Sequence, residues 1–377
     1  SMMLETEANS GNYELTTRES WPTEGYVFNT ELSKCENGGE LSWDDTNKIV
    51  LMSGNVSDKC YVYFDMIPSV LLADFVISQY NGIQGNNNIY YHDASLTNGA
   101  GDNSYRFAGA SERVNNYVCF GSTESPCPAD NLYRIIGVFE YQVKLIKYDY
   151  ANSNLLGTDG DYSTDTYSKS DFPTYKGELT TINEYYWNGS TSTNTWSESE
   201  LNKTNLNKNY IAYLNNIDTK WANKIETTTW KVGGNTYANI YSKIPAVVYQ
   251  NEIVNPVTTN TTDGETDYTA KIGLMYVSDY GFAAEPSAWT LTMGSYNNTA
   301  ATSTNWMYMG LYEWTISRNA DGSDFAFNVD GNGNVSYIRV RDGREAIAFG
   351  VRPVFSLTSS VNYVSGSGTA ADPISIN

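Results

Sequence analysis

The stretch that most limits the fold is Tyr133-Arg134-Ile135-Ile136-Gly137-Val138-Phe139, followed at once by Tyr141-Gln142-Val143-Lys144-Leu145-Ile146. Two runs so rich in apolar residues, with so little between them, read as a hairpin across a short turn. A hairpin is stable only when more structure packs on it, so the rest of the chain must supply cover. That remainder reads as short strands separated by long connections, without an internal repeat.

Upstream, Tyr26 to Asp65 reads as a small β unit. Glu40-Leu41-Ser42-Trp43 and Lys48-Ile49-Val50-Leu51-Met52 flank the turn signal Asp44-Asp45-Thr46-Asn47, and Tyr61-Val62-Tyr63-Phe64 is a third strand. Pro68 to Tyr80 has the spacing of an amphipathic helix with proline in its first turn. Asn81 to Gly109 reads as a long loop, and Asp149 to Thr195 as polar and irregular. Ser197-Glu198-Ser199-Glu200 is a capping-box pattern ahead of a helix through Leu201 and Leu206. A second helical stretch is expected around Trp221 to Ile225. Asn255 to Asp267 reads as a loop and Ala270 to Val277 as strand-like.

The 377 residues allow two domains. We place a small N-terminal β domain at 1–66 and a larger α+β domain at 67–377. A formal charge of −20 repels phosphate backbones and anionic lipid, which argues against nucleic-acid partners and direct membrane-surface binding. The longest apolar run, Val70 to Ile77, is broken by Asp74 and is too short to span a bilayer. The opening Ser1-Met2-Met3 reads as an expression remnant, so the lack of a signal peptide after it says nothing about native location. Of the three possible pairings of Cys35, Cys60, Cys119 and Cys127, the simplest joins neighbours, Cys35–Cys60 and Cys119–Cys127. Bridges imply an oxidising, extracellular setting; the alternative is four reduced, buried thiols.

From Thr315 to Arg344, thirty consecutive residues contain no Lys, Gln, Glu, Trp or Met. Those five types supply 56 residues of the chain, so such a window would ordinarily hold roughly four or five of them. In their place stand Asn, Asp, Ser, Gly, Tyr and Arg, which make adaptable contacts at binding surfaces. Five of the nine arginines fall in or beside the window, at Arg318, Arg339, Arg341, Arg344 and Arg352. This composition points to recognition rather than catalysis.

The window is framed by Tyr312-Glu313-Trp314-Thr315 and Gly350-Val351-Arg352, a pattern that resembles the C-type-lectin-like fold in its formylglycine-generating-enzyme branch. Together with Asn131-Leu132-Tyr133-Arg134-Ile135-Ile136-Gly137, Gly273-Leu274-Met275-Tyr276-Val277-Ser278 and the ending Val364-Ser365-Gly366-Ser367-Gly368-Thr369 to Asp372-Pro373-Ile374, it is similar to a family of bacterial surface proteins. The likeness spans about Tyr90 to Asn377. It implies an α+β, C-type-lectin-like domain of short strands, long loops and few helices, preceded by a small Ig-like or stalk domain, with a variable segment near 315–350. Members of this group include variable proteins diversified by retroelements that rewrite adenines. Asn codons randomised at their adenines cannot yield Lys, Gln, Glu, Trp or Met, which is the gap seen here; Glu345 departs from it and would be fixed or mark its limit.

The resemblance makes Trp314 and Arg352 scaffold. The expected contact residues are Asn319, Asp321, Ser323, Asp324, Phe325, Phe327, Asn328, Asp330, Asn332, Tyr337, Arg339, Arg341 and Arg344. Alternation of Ser336, Ile338 and Val340 with Tyr337, Arg339 and Arg341 points the odd positions outward. The expected partner is a protein or glycan on another cell or phage, with a pilus or other anchor holding the chain at the bacterial surface. The alternative is a structural pilus or envelope subunit with no diversified site.

Chemistry of other kinds is thinly represented. The enzyme branch of this fold needs reactive cysteines late in the domain, and none follows Cys127. A single His92 makes a hydrolase triad hard to build, so no enzymatic activity and no cofactor are expected, and His92 reads as structural or exposed. Asn328-Val329-Asp330-Gly331-Asn332-Gly333-Asn334 spaces oxygens as a cation loop does, but it lacks the downstream acid and reads as a turn. Glu285-Pro286-Ser287 only partly matches a calcium-dependent sugar motif. No metal is expected.

Overall fold

The structure, a computed structural model, describes residues 2–5, 10–17, 21–22, 25–54, 57–257, 264–341 and 348–377. The chain divides into two compact units, Ser1–Ser69 and Val70–Asn377. The division falls after Ser69 because Val70–Leu71 pairs with Asn362 and Tyr363 near the other end of the chain.

The first unit consists of short two-stranded antiparallel ladders. Tyr26–Phe28 pairs with Phe64–Met66, Lys34–Cys35 with Cys60–Tyr61, and Glu40–Asp44 with Ile49–Ser53. The expected third strand is broken into two pieces around Val62 and Tyr63. Its small core is aromatic: Trp43 lies 5.2 Å from Phe64, and Phe28 lies 5.8 Å from Phe64. Cys35 and Cys60 face each other across one ladder and are bridged. So little apolar area is enclosed that a covalent staple is needed.

The second unit is mixed, with many short strands and few helices. Its central antiparallel sheet is built on the hairpin Leu132–Phe139 and Gln142–Lys147. Tyr105–Phe107 and Tyr117–Cys119 pair with the first of these strands, and Ile89–Tyr91 extends the sheet beyond Tyr105–Phe107. On the other side Val354–Ser356 pairs with Lys144–Ile146. The expected loop 81–109 therefore contains two strands, Ile89–Tyr91 at the edge of the sheet and Tyr105–Phe107 inside it, which Gly- and Asn-rich turns mask. Tyr162–Ser168 and Thr181–Tyr185 likewise form a ladder within the region expected to be irregular. Cys119 is bridged to Cys127. Both bridges suit an oxidising compartment, and among the described residues no helix is long and apolar enough to cross a membrane.

The helix expected from Pro68 starts at Leu72, because Val70 and Leu71 are held in extended pairing. The capping box does not form. The helical segment begins at Leu201, Ser199 Oγ rather than Ser197 accepts from the Asn202 N–H (3.1 Å), and the Glu200 side chain turns to Lys203 (2.8 Å). Ala270–Val277 is not one strand. Asp267–Ala270 forms a ladder with Thr228–Lys231, Gly273 makes a single antiparallel bridge to Val354, and a helix runs from Val277 to Phe282. Glu252 and Asp279 favour that helix by accepting the otherwise unpaired N–H groups of Val277, Ser278 and Tyr276.

Candidate functional site: the 313–341 sheet

Glu313–Arg318, Phe325–Val329 and Val335–Arg339 form a three-stranded antiparallel meander, with Phe325–Val329 in the middle and Val335–Arg339 at an edge. Its two sequence frames meet. Gly350 N donates to Tyr312 O (3.1 Å), and the buried Arg352 donates through Nε to Glu313 Oε1 (2.7 Å) and through Nη2 to Oε2 (2.9 Å). Arg352 Nη2 also reaches Met307 O (2.8 Å). Two parallel bonds between planar groups fix orientation as well as distance. Trp314 is buried, donates to Tyr185 O (2.8 Å) and packs 4.6 Å from Phe349. Gly350 sits so close to Tyr150 that a Cβ there would lie 2.5 Å from the ring.

Side chains from elsewhere fasten the strands and turns of the segment. Asn194 Nδ2 donates to Asn319 O, Gly322 O and Phe325 O at 2.8 to 2.9 Å, so one amide fastens the whole turn. Trp187 Nε1 donates to Thr315 O (2.9 Å), and the Tyr280 hydroxyl to Gly333 O (2.7 Å). Beneath the first strand, the buried Glu252 accepts from the Ser317 hydroxyl, and burial raises its carboxyl above the usual range.

The thirteen expected contact residues divide accordingly. Tyr337, Arg339 and Arg341 are exposed, whereas Val340 is buried and Ser336 and Ile338 are half-buried. Asp321 and Asn332 are exposed; Ser323, Asp324, Phe325 and Asp330 are half-buried. Three expectations are overturned. Phe327 and Asn328 belong to the middle strand and are covered on both faces, and Asn319 is sealed beneath the turn that its own Oδ1 helps to form by accepting from Asp321 N (3.0 Å). None of the three can touch a partner at the surface. Arg344, with Glu345, lies outside the described residues.

The exposed residues gather with half-buried rings into two aromatic and cationic groups, one around Tyr337 and Arg339 and one around Arg341. Tyr337 lies 5.4 Å from Phe325 and 4.7 Å from Tyr237, which stacks at 4.5 Å on Tyr241. Arg339 lies 5.6 Å from the Phe325 ring and 3.5 Å from Asp324; Arg341 lies 5.5 Å from the Tyr186 ring and donates to Gly189 O. Tyr186, Tyr237 and Tyr241 were not foreseen. The i, i+4 spacing of Tyr237 and Tyr241 was the available signal; Tyr186 had none. Asp321 accepts from Tyr237 N (2.7 Å), fixing the short helix Tyr237–Ile240 to the turn.

Other sequence signals resolve into structure. Asp330 Oδ1 accepts from Asn332 N (2.8 Å) and Asn334 N (3.1 Å), so the cation-like loop is a hairpin turn closed by its own acid. Glu285 accepts from Ser287 (2.8 Å) within a single turn of helix. His92 is buried beside Phe282 and Trp289, and its Nδ1 accepts from Ala100 N (3.0 Å). Burial, followed by the nearby Arg106, holds it well below the usual histidine range and hence neutral. Among the described residues no cluster of His, Cys, Asp and Glu could hold a metal ion. Comparison with models of protein families, with curated proteins and with solved structures finds no match to this chain.

Proposed function

We propose that the protein is a ligand-binding or adhesion protein displayed at a bacterial surface, with a C-type-lectin-like second unit and a recognition face diversified by a retroelement. The observation that carries this reading is the contrast within one segment. The backbone of 313–341 is fastened by Arg352, Trp314, Trp187, Asn194 and Tyr280, while Tyr337, Arg339 and Arg341 stand exposed on it. A rigid backbone with rigid aromatic and forked cationic side chains loses little entropy on binding. Exposed positions can change without disturbing the frame, as a diversified surface requires.

The test is a display library. Randomising Asp324, Asn332, Tyr337, Arg339 and Arg341 should leave most members folded and yield binders to an arbitrary probe protein such as hen lysozyme. Randomising Asn319, Phe327 and Asn328 should yield mostly unfolded chains. If the surface library unfolds as often as the buried one, or gives no binders, the reading fails. The flanking DNA should hold a reverse-transcriptase gene and an imperfect copy of this segment. Intact envelope assembly that depends on the five wild-type residues would favour a structural pilus or envelope subunit instead.

A further inference from the structure

A second site lies apart from the exposed residues of that sheet. A cleft of about 240 Å³ opens at the hairpin formed by Leu132–Phe139 and Gln142–Lys147. Its walls are the rings of Phe139, Trp230, Tyr249 and Tyr276. At its floor Asp279 accepts from Lys144 (2.6 Å) and Arg106 (3.4 Å), and Asp102 accepts from Arg106 (2.7 Å). Arg106, Lys144 and Asp279 are nearly inaccessible to water. Gln142 and Ser356 stand among the residues lining the cleft.

Four charges gathered beside a cavity are a poor way to build a core, because apolar residues of similar volume would serve stability as well. Their arrangement has a chemical meaning. At the floor two buried cations and two acids cancel, and the exposed Glu140 adds one negative charge to the lining, so an added anion meets Asp102, Asp279 and Glu140 while an added cation meets Lys144 and Arg106. What fits is a neutral molecule that both donates and accepts. Lys144 has three N–H donors and makes one hydrogen bond among the described residues, while Thr228 Oγ1, also lining the cleft, makes none there. Burial lowers the affinity of Lys144 for its proton, and Asp279 offsets only part of this. The ring walls call for an apolar face on the same molecule. A pyranose combines these properties: alternating hydroxyls that donate and accept, C–H faces that pack on aromatic rings, and a size suited to a cleft smaller than the roughly 300–1,000 Å³ of drug-sized pockets.

We propose that this cleft binds one neutral sugar ring, as a free monosaccharide or as the end of a glycan, without a metal ion. Sugar oxygens accept from Lys144, sugar hydroxyls donate to Asp102, and the ring lies against the half-buried Tyr249 and Phe139. The site stands whether or not the sheet described above is diversified.

Saturation-transfer NMR on the intact chain tests it, with glucose, galactose, mannose and N-acetylglucosamine as separate probes. At least one should give saturable signals on its ring C–H protons, unchanged by EDTA. Tyr249→Ala and Gln142→Ala, which leave the ion pairs in place, should each weaken that binding roughly tenfold, or about 1.4 kcal/mol. Tyr337→Ala should leave it unchanged. Disaccharides such as lactose and chitobiose separate the sources: equal or tighter binding identifies a glycan end, and exclusion identifies a free sugar. No signal from any of the four sugars would overturn the proposal. So would loss of binding in EDTA, undiminished binding by both cleft variants, or preferential binding of phenylacetate or benzylammonium.

Discussion

Glu313 and Arg352 stand 39 positions apart in the chain, yet each leaves a buried, unpaired charge if the other is removed. Arg352→Ala and Glu313→Ala should each lower unfolding free energy by about 3–5 kcal/mol. Arg352→Lys should recover little, since an ammonium cannot reproduce the two-pronged contact; urea titrations decide both. At the exposed positions the expectation reverses. Tyr337→Ala and Arg341→Ala should each cost within about 1 kcal/mol. Acid–base behaviour follows from individual carboxyls too. Burial raises Glu184 to about 7 and Asp161 to about 6, above their unfolded values of about 4. The native state therefore holds protons that the unfolded chain has released. Their stabilising contribution is fully present below about pH 4, is lost as pH rises through 6 and 7, and is flat above that. Asp102 works in the opposite sense: Arg106 and the bonds from Ser104 and Arg106 outweigh burial and hold it well below the usual range. Its contribution is present above about pH 4 and lost on acidification. Stability measured against pH should flatten between about 4.5 and 7 in Glu184→Gln; an unchanged slope would show that Glu184 does not titrate there.

At the scale of elements, the turn 319–325 depends on a residue far outside it. Asn194→Ala removes the two N–H donors that three carbonyls of the turn share. It should cost on the order of 2–3 kcal/mol and speed hydrogen exchange across 319–325 before it affects the long hairpin. Legibility in the sequence follows the same logic. The long hairpin and the alternation at Tyr337, Arg339 and Arg341 are local patterns of period two, and both are visible in the residues themselves. Asn319, Phe327 and Asn328 looked equally available because nothing in their own neighbourhood announces what covers them. Phe327 and Asn328 are in the middle because Glu313–Arg318 and Val335–Arg339 both pair with their strand, and Asn319 lies beneath a turn tied to Asn194, 125 positions away. The two strands within 81–109 and the start of the helix at Leu72 are hidden for the same reason. Pairing partners, not propensity, define them. Tyr237 and Tyr241 joined the face only because Asp321 holds their helix against the turn.

For the whole molecule, the two units should differ in what keeps them folded. The first encloses only a few aromatic rings, and its Cys35–Cys60 bridge closes a loop of 25 residues. Loss of such a bridge costs about 3 kcal/mol. Cys35→Ser/Cys60→Ser should therefore lower or abolish the melting transition of residues 1–69, leaving that of 70–377 in place. Coincident loss of both transitions would mean that the units fold as one. The second unit has a further property in the way its chain comes in and leaves. Val70–Leu71 and Ser375–Ile376 flank the same strand, Asn362–Ser365, one on either side. Two strand spacings of about 4.8 Å separate them. A unit that starts and finishes at one spot can be spliced into a surface loop of an unrelated carrier, or circularly permuted, with a linker of only a few residues. In that sense residues 70–377 are portable cargo, and what they are mounted on can change without rebuilding them.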